Sequence, residues 1–123
     1  MAKTILLVDD SASVRTVAGI ALRRAGYEVL EAANGQEGLA QLQGGGRVHL
    51  IISDVNMPVM DGIGFLKEVK RHPATKFTPV IMLTTEAGDD KKQEGRAAGA
   101  KAWIVKPFQP EALLDAVARL VMA

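Results

Sequence analysis

The chain has 123 residues, 48% of them hydrophobic and 24% charged, which suits one globular domain with a single core and leaves no room for two. Fifteen Lys and Arg stand against 14 Asp and Glu, so no strong positive field draws nucleic acid or an anionic membrane. Cysteine is absent, which excludes disulfides and thiolate chemistry, and no apolar run approaches the roughly 18 residues of a membrane span; a cytoplasmic, monomeric protein is expected.

Short apolar runs alternate with amphipathic stretches along the chain. The runs cover residues 5–8, 27–32, 48–53, 80–84 and 102–105, and each gives way to polar residues or glycine, as strands do. After the first run, Val14, Val17, Ala18, Ala21, Leu22 and Ala25 recur at helical spacing, and Gly26 marks the end of that helix. Asn34 with Glu37 resembles a capping box and starts a second helix, which carries Leu39 and Leu42 and ends at Gly44-Gly45-Gly46. Phe65, Leu66 and Val69 form the stripe of a third, closed by His72-Pro73. Residues 87–98 offer little but alanine to bury, so the fourth helix is expected to be the loosest. Pro110 suits a first helical position, and Leu113, Leu114, Val117, Leu120 and Val121 complete a fifth stripe. Strict β/α alternation implies a parallel sheet with helices on both faces.

In such a sheet the residues that follow each strand meet at one rim. Asp9 and Asp10 follow the first strand, Asp54 the third, Thr84 closes the fourth and Lys106 follows the fifth. Ligands of open α/β sheets bind at that carboxyl edge. Carboxylates about 4 Å apart repel by roughly 4 kcal/mol at an effective dielectric near 20, so a compensating charge is needed. Mg²⁺ fits, because it takes oxygen ligands and keeps waters for a phosphate, and Lys106 adds a fixed charge beside it. One aspartate alone would more often be a cap or a solvated loop acid. The joint placement at the ends of four strands favours a site. Arg15 is expected to be solvated, and His49 and His72 lack ligand-like neighbours.

Four segments carry a family resemblance: Val8-Asp9-Asp10-Ser11; Ser53-Asp54-Val55-Asn56-Met57-Pro58 with Met60-Asp61-Gly62; Leu83-Thr84-Thr85-Glu86-Ala87; and Val105-Lys106-Pro107-Phe108. The chain resembles the receiver domain of two-component response regulators over its whole length, residues 1–123, and is most similar to stand-alone chemotaxis regulators of the CheY type. The resemblance implies a flavodoxin-like three-layer α/β/α fold with strand order 2-1-3-4-5 and a cis Lys106–Pro107 peptide. It implies that Asp54 accepts a phosphoryl group from a sensor histidine kinase. Asp10, Asp54 and the Asn56 carbonyl would hold Mg²⁺, with Asp9 on the metal's water shell. Lys106 and Thr84 would contact the phosphoryl oxygens, and Asn56 and Glu86 would tune self-dephosphorylation. Trp103 aligns with the family's switch aromatic, usually Tyr or Phe; the larger indole either turns inward or packs beside the fourth and fifth helices. Output would leave through a face containing Ala97, Lys101, Trp103 and the start of the fifth helix, toward a partner such as a flagellar motor switch protein, with a phosphatase as a further partner. The alternatives are an aspartyl-nucleophile phosphohydrolase, which Asn56 argues against because it cannot act as the second acid; a flavin protein of the same fold, which Asp9 and Asp10 argue against; a degenerate adaptor; and a receiver serving a phosphorelay outside chemotaxis.

Overall fold

The computed structural model describes residues 2–44, 46–55, 57, 60–85 and 89–121, without the side chains of residues 89–91. Five strands and five helices alternate: β1 Thr4–Val8, α1 Ala12–Arg24, β2 Glu28–Ala32, α2 Gly35–Gln43, β3 Leu50–Asp54, α3 Gly62–Arg71, β4 Val80–Thr84, α4 Asp89–Ala97, β5 Ala102–Val105 and α5 Pro110–Val121. All strand pairs are parallel, in the order β2-β1-β3-β4-β5. This is the flavodoxin-like arrangement expected. Among the described residues no helix is long and apolar enough to cross a membrane.

Helices on both faces explain why the central strands read as unbroken apolar runs. Ile5 to Val8 and every residue of β3 and β4 are buried, whereas the edge strands β2 and β5 are partly exposed. Two apolar clusters flank the sheet. One joins Leu6, Val8, Ile51 and Met82 to Ile63, Phe65, Leu66 and Val69 of α3; the other joins Ile5, Leu7, Ile52 and Leu83 to Leu22 of α1 and Leu113 and Val117 of α5. Burying each such side chain is worth about 2 kcal/mol.

Caps set the helix ends. Ser11 Oγ accepts from Val14 N, Asn34 Oδ1 from Glu37 N at 2.9 Å, and Asp61 Oδ1 from Gly64 N at 2.7 Å. At the end of α1, Gly26 N donates to Arg23 O and Tyr27 N to Leu22 O, a Schellman pattern that needs the left-handed φ of 98° at Gly26.

Candidate functional site

Register brings the site together. Val8 pairs with Ser53, so Asp9 stands level with Asp54, and Asp54 in turn pairs with Leu83. Asp54 is thus the last residue of β3 rather than the first beyond it. Thr84 comes one step further along and pairs with Val105. Lys106 lies two residues beyond the level of Asp54, and its four-carbon side chain spans the gap.

Asp9, Asp10 and Asp54 each place a carboxylate oxygen within 4.8 Å of the others. Asp9 is fully buried and Asp54 is 4% exposed, while Asp10 faces solvent. Lys106 Nζ lies 2.8 Å from Asp9 Oδ2 and 3.3 Å from Asp54 Oδ1. The second oxygen of Asp9 accepts from Ser11 N at 2.9 Å, which ties this carboxylate to the start of α1. The backbone of Lys106 is fixed too: its N–H donates to Thr84 O at 2.7 Å, and its peptide bond to Pro107 is cis, as expected. Thr84 is fully buried beside it.

Burial and then the charge of Asp9 raise the Asp54 pKa from 3.8 to about 6, against the opposing pull of Lys106. Burial works the other way on Lys106, but the hydrogen bond and charge of Asp9, with those of Asp54, hold its pKa above the usual lysine value. The ammonium is therefore a permanent charge at the rim.

Arg15 differs from its expected solvated state. Its guanidinium donates to the Asp9 carbonyl and its Nε sits 3.4 Å from Glu31 Oε1, with the side chain only 20% exposed. It braces the turn after β1 against β2. His49 accepts from Thr4 N at 3.0 Å, a structural contact at the far end of the sheet. Trp103 packs on the cluster that contains Ile63, Val69 and Met82, on the α3 side of the sheet rather than toward α5. Asn56 and Glu86 lie outside the described residues. One contributor went unassigned in the sequence: Gly62, where a Cβ would collide with the Asp54 carbonyl oxygen. Its N–H also donates to Val55 O at 2.8 Å, so the first turn of α3 lies directly against the end of β3. Its signal was present in the Met60-Asp61-Gly62 segment.

A five-stranded parallel sheet with acids and a lysine gathered at its carboxyl rim fits a receiver domain. The response regulator receiver domain family matches residues 5–118, and the chain belongs to it. Among relatives, chemotaxis protein CheY1 of Helicobacter pylori is 40% identical over 112 residues, 90% of each chain. The phosphate regulon transcriptional regulatory protein PhoB of Pseudomonas aeruginosa is 42% identical over 96% of this chain, which spans 50% of that protein's length. The structure of Vibrio cholerae chemotaxis protein CheY4 superposes with a TM-score of 0.93 at 52% identity, covering 98% of this chain and 99% of that one. The receiver domain of a Pseudomonas aeruginosa sensor histidine kinase, solved with a magnesium ion coordinated in its active site cleft, reaches 0.89 at 28% identity over the whole of both chains.

Proposed function

We propose that this chain is a phosphorylation-activated switch in which Asp54 accepts a phosphoryl group from the phosphohistidine of a sensor histidine kinase. The observation that supports this most is the setting of Asp54: a nearly buried carboxylate at a strand end, 3.3 Å from a permanent ammonium and within reach of two more carboxylates. An Asp54 oxygen attacks phosphorus as the bond to the kinase imidazole breaks, leaving an acyl phosphate on Asp54 and a free imidazole. The attacking oxygen must be ionised, which a pKa of about 6 allows at neutral pH. Phosphoryl transfer gains mainly from positioning and from offsetting charge on the equatorial oxygens. Lys106 is placed to do the second, and Asp9 orients its ammonium.

The donor set suits a hard divalent cation. Three carboxylates with oxygens within 4.8 Å repel one another, and the raised pKa of Asp54 records part of that repulsion. Asp10 and Asp54 would hold Mg²⁺ with Asp9 on its water shell; the Asn56 carbonyl belongs to the same expectation. When bound, Mg²⁺ adds positive charge beside the phosphoryl oxygens.

Thr84, beside Lys106 at the rim, is assigned to the phosphoryl oxygens, and Asn56 and Glu86 to the attacking water. Similarity to the Helicobacter and Vibrio chemotaxis proteins supports a role in chemotaxis, with the output face at Ala97, Lys101, Trp103 and the start of α5 binding a motor switch protein. Incubation with acetyl phosphate and Mg²⁺ should leave one base-labile phosphoryl group on the parent and none on Asp54→Asn. Label persisting on the variant overturns the assignment. Steady hydrolysis of small phosphomonoesters would instead favour the phosphohydrolase.

A further inference from the structure

Trp103 is larger than the aromatic usual at its aligned position, yet its partly buried ring packs on the α3-side cluster close beneath α4. The room comes from α4. Gly95 is buried, and a Cβ built there would lie 2.5 Å from Cζ3 and 3.2 Å from Cε3 of the Trp103 indole, and 3.5 Å from Ile63 Cδ1. Carbon atoms pack best at about 3.5–4.0 Å, so even one methyl group at residue 95 overlaps the ring.

Nothing else in the helix calls for glycine. Positive φ occurs among the described glycines only at Gly26 and Gly99, so the backbone at residue 95 is one that any residue adopts. Within a helix glycine is less favourable than alanine. In α4, whose described positions 92–97 read Lys-Gln-Glu-Gly-Arg-Ala, the loss is not offset by a strong apolar stripe. The close approach of the indole is what the missing side chain provides. The ring's position also links it to the site: Trp103 pairs with Met82 and Val105 with Thr84, so Trp103 and Thr84 are borne on one face of the sheet in diagonal register. The indole Nε1 is buried and has no hydrogen-bond partner among the described residues, while the ring itself lies in van der Waals contact with the backbone of Gly95.

We propose that Gly95 is a positioning residue, a socket that seats the Trp103 indole beneath α4. The ring's membership of an output face rests on the function proposed above; the socket itself does not.

The test uses sign as well as size. On helix propensity alone, Gly95→Ala stabilises; if the socket is real, it destabilises and moves the ring outward. Trp103 is the sole tryptophan, so its emission reports the ring directly. In Gly95→Ala we expect a lower Tm, a red-shifted emission and several-fold stronger acrylamide quenching. In the Trp103→Val background the same Gly95→Ala change should raise Tm. If Gly95→Ala does not fold alone, recovery of folding in the double variant supports the socket, and failure of the double variant where Trp103→Val folds overturns it. Parental emission and quenching in Gly95→Ala, or an equal loss of Tm in both backgrounds, also overturns it. Acetyl phosphate labelling of the parent is measured separately: no label removes the proposed phosphoacceptor role of Asp54 and leaves the socket standing, whereas normal label with an undisturbed indole in Gly95→Ala removes the socket alone.

Discussion

Replacing Asp54 by asparagine should make the protein more stable at neutral pH while abolishing its proposed function. A carboxyl carried from 3.8 to about 6 on folding, at roughly 1.4 kcal/mol per pH unit, makes the ionised form about 3 kcal/mol less favourable in the folded protein. The attraction of Lys106 is already contained in that net figure, since it opposes the larger effects of burial and Asp9. Below pH 3.8 the carboxyl is neutral in both folded and unfolded chains and the penalty vanishes. Above about pH 6 it is ionised in both and the penalty is complete. Stability contributed by this group is therefore lost as pH rises through that window, and asparagine, neutral throughout, escapes the loss. Urea unfolding from pH 4 to 8 in metal-free buffer should show Asp54→Asn gaining up to about 3 kcal/mol over the parent at pH 7.5, with the gap closing toward pH 4. Added Mg²⁺ should narrow the gap by stabilising the parent more than the variant. A gap independent of pH, or no gain at pH 7.5, would refute the electrostatic account.

Lys106→Met leaves the buried Asp9 carboxylate without its ammonium and should cost about 3 kcal/mol at pH 7.5, part of it recovered with Mg²⁺, read by urea unfolding. Gly62→Ala forces a methyl into the Asp54 carbonyl and should cost about 3 kcal/mol, with amide shifts at residues 53–55 reporting the displaced strand end. Ser11→Ala removes the α1 cap acceptor and should cost about 1 kcal/mol, without affecting phosphoryl uptake. Hydrogen exchange should be faster at amides 93–97 than in the interiors of α3 and α5, because α4 carries the poorest apolar stripe; equal protection would contradict that ranking.

The interior of the sheet was readable because β1, β3 and β4 are covered on both faces, which forces continuous runs such as Ile5-Leu6-Leu7-Val8. Strand ends were less so. Val48 and His49 continue the apolar pattern and are partly or wholly buried, yet they precede β3, whose ladder begins at Leu50. Strand order could not be had from spacing, since alternation alone fits several orders; it came with the family resemblance. The acids and lysine of the site were legible because they fall just at the ends of apolar runs. Gly26 was legible as a helix end, but the glycines that make room for a neighbour were not, Gly62 standing only within a family segment. Gly38 lies where a Cβ would come within 2.9 Å of the Phe65 ring, and Gly62 and Gly95 are likewise required by what faces them across a helix contact, which a one-dimensional pattern does not record. Arg15 was misjudged for the same reason: a cation on a helix reads as solvated until Glu31 and the Asp9 carbonyl are placed beside it.

The ion pair between Lys106 and Asp9 joins residues 97 positions apart. A contact of that span carries a larger chain-entropy cost than a local one, so it rests on the sheet that holds its two ends together. The pairing of β1 with β3 alone brings Asp9 and Asp54 level, whereas the ammonium that stands between them is supplied from just beyond β5. Undocking of that edge strand would withdraw the counter-charge while leaving two buried carboxylates side by side, so the electrostatics of the site depend on how firmly the sheet's edge is held.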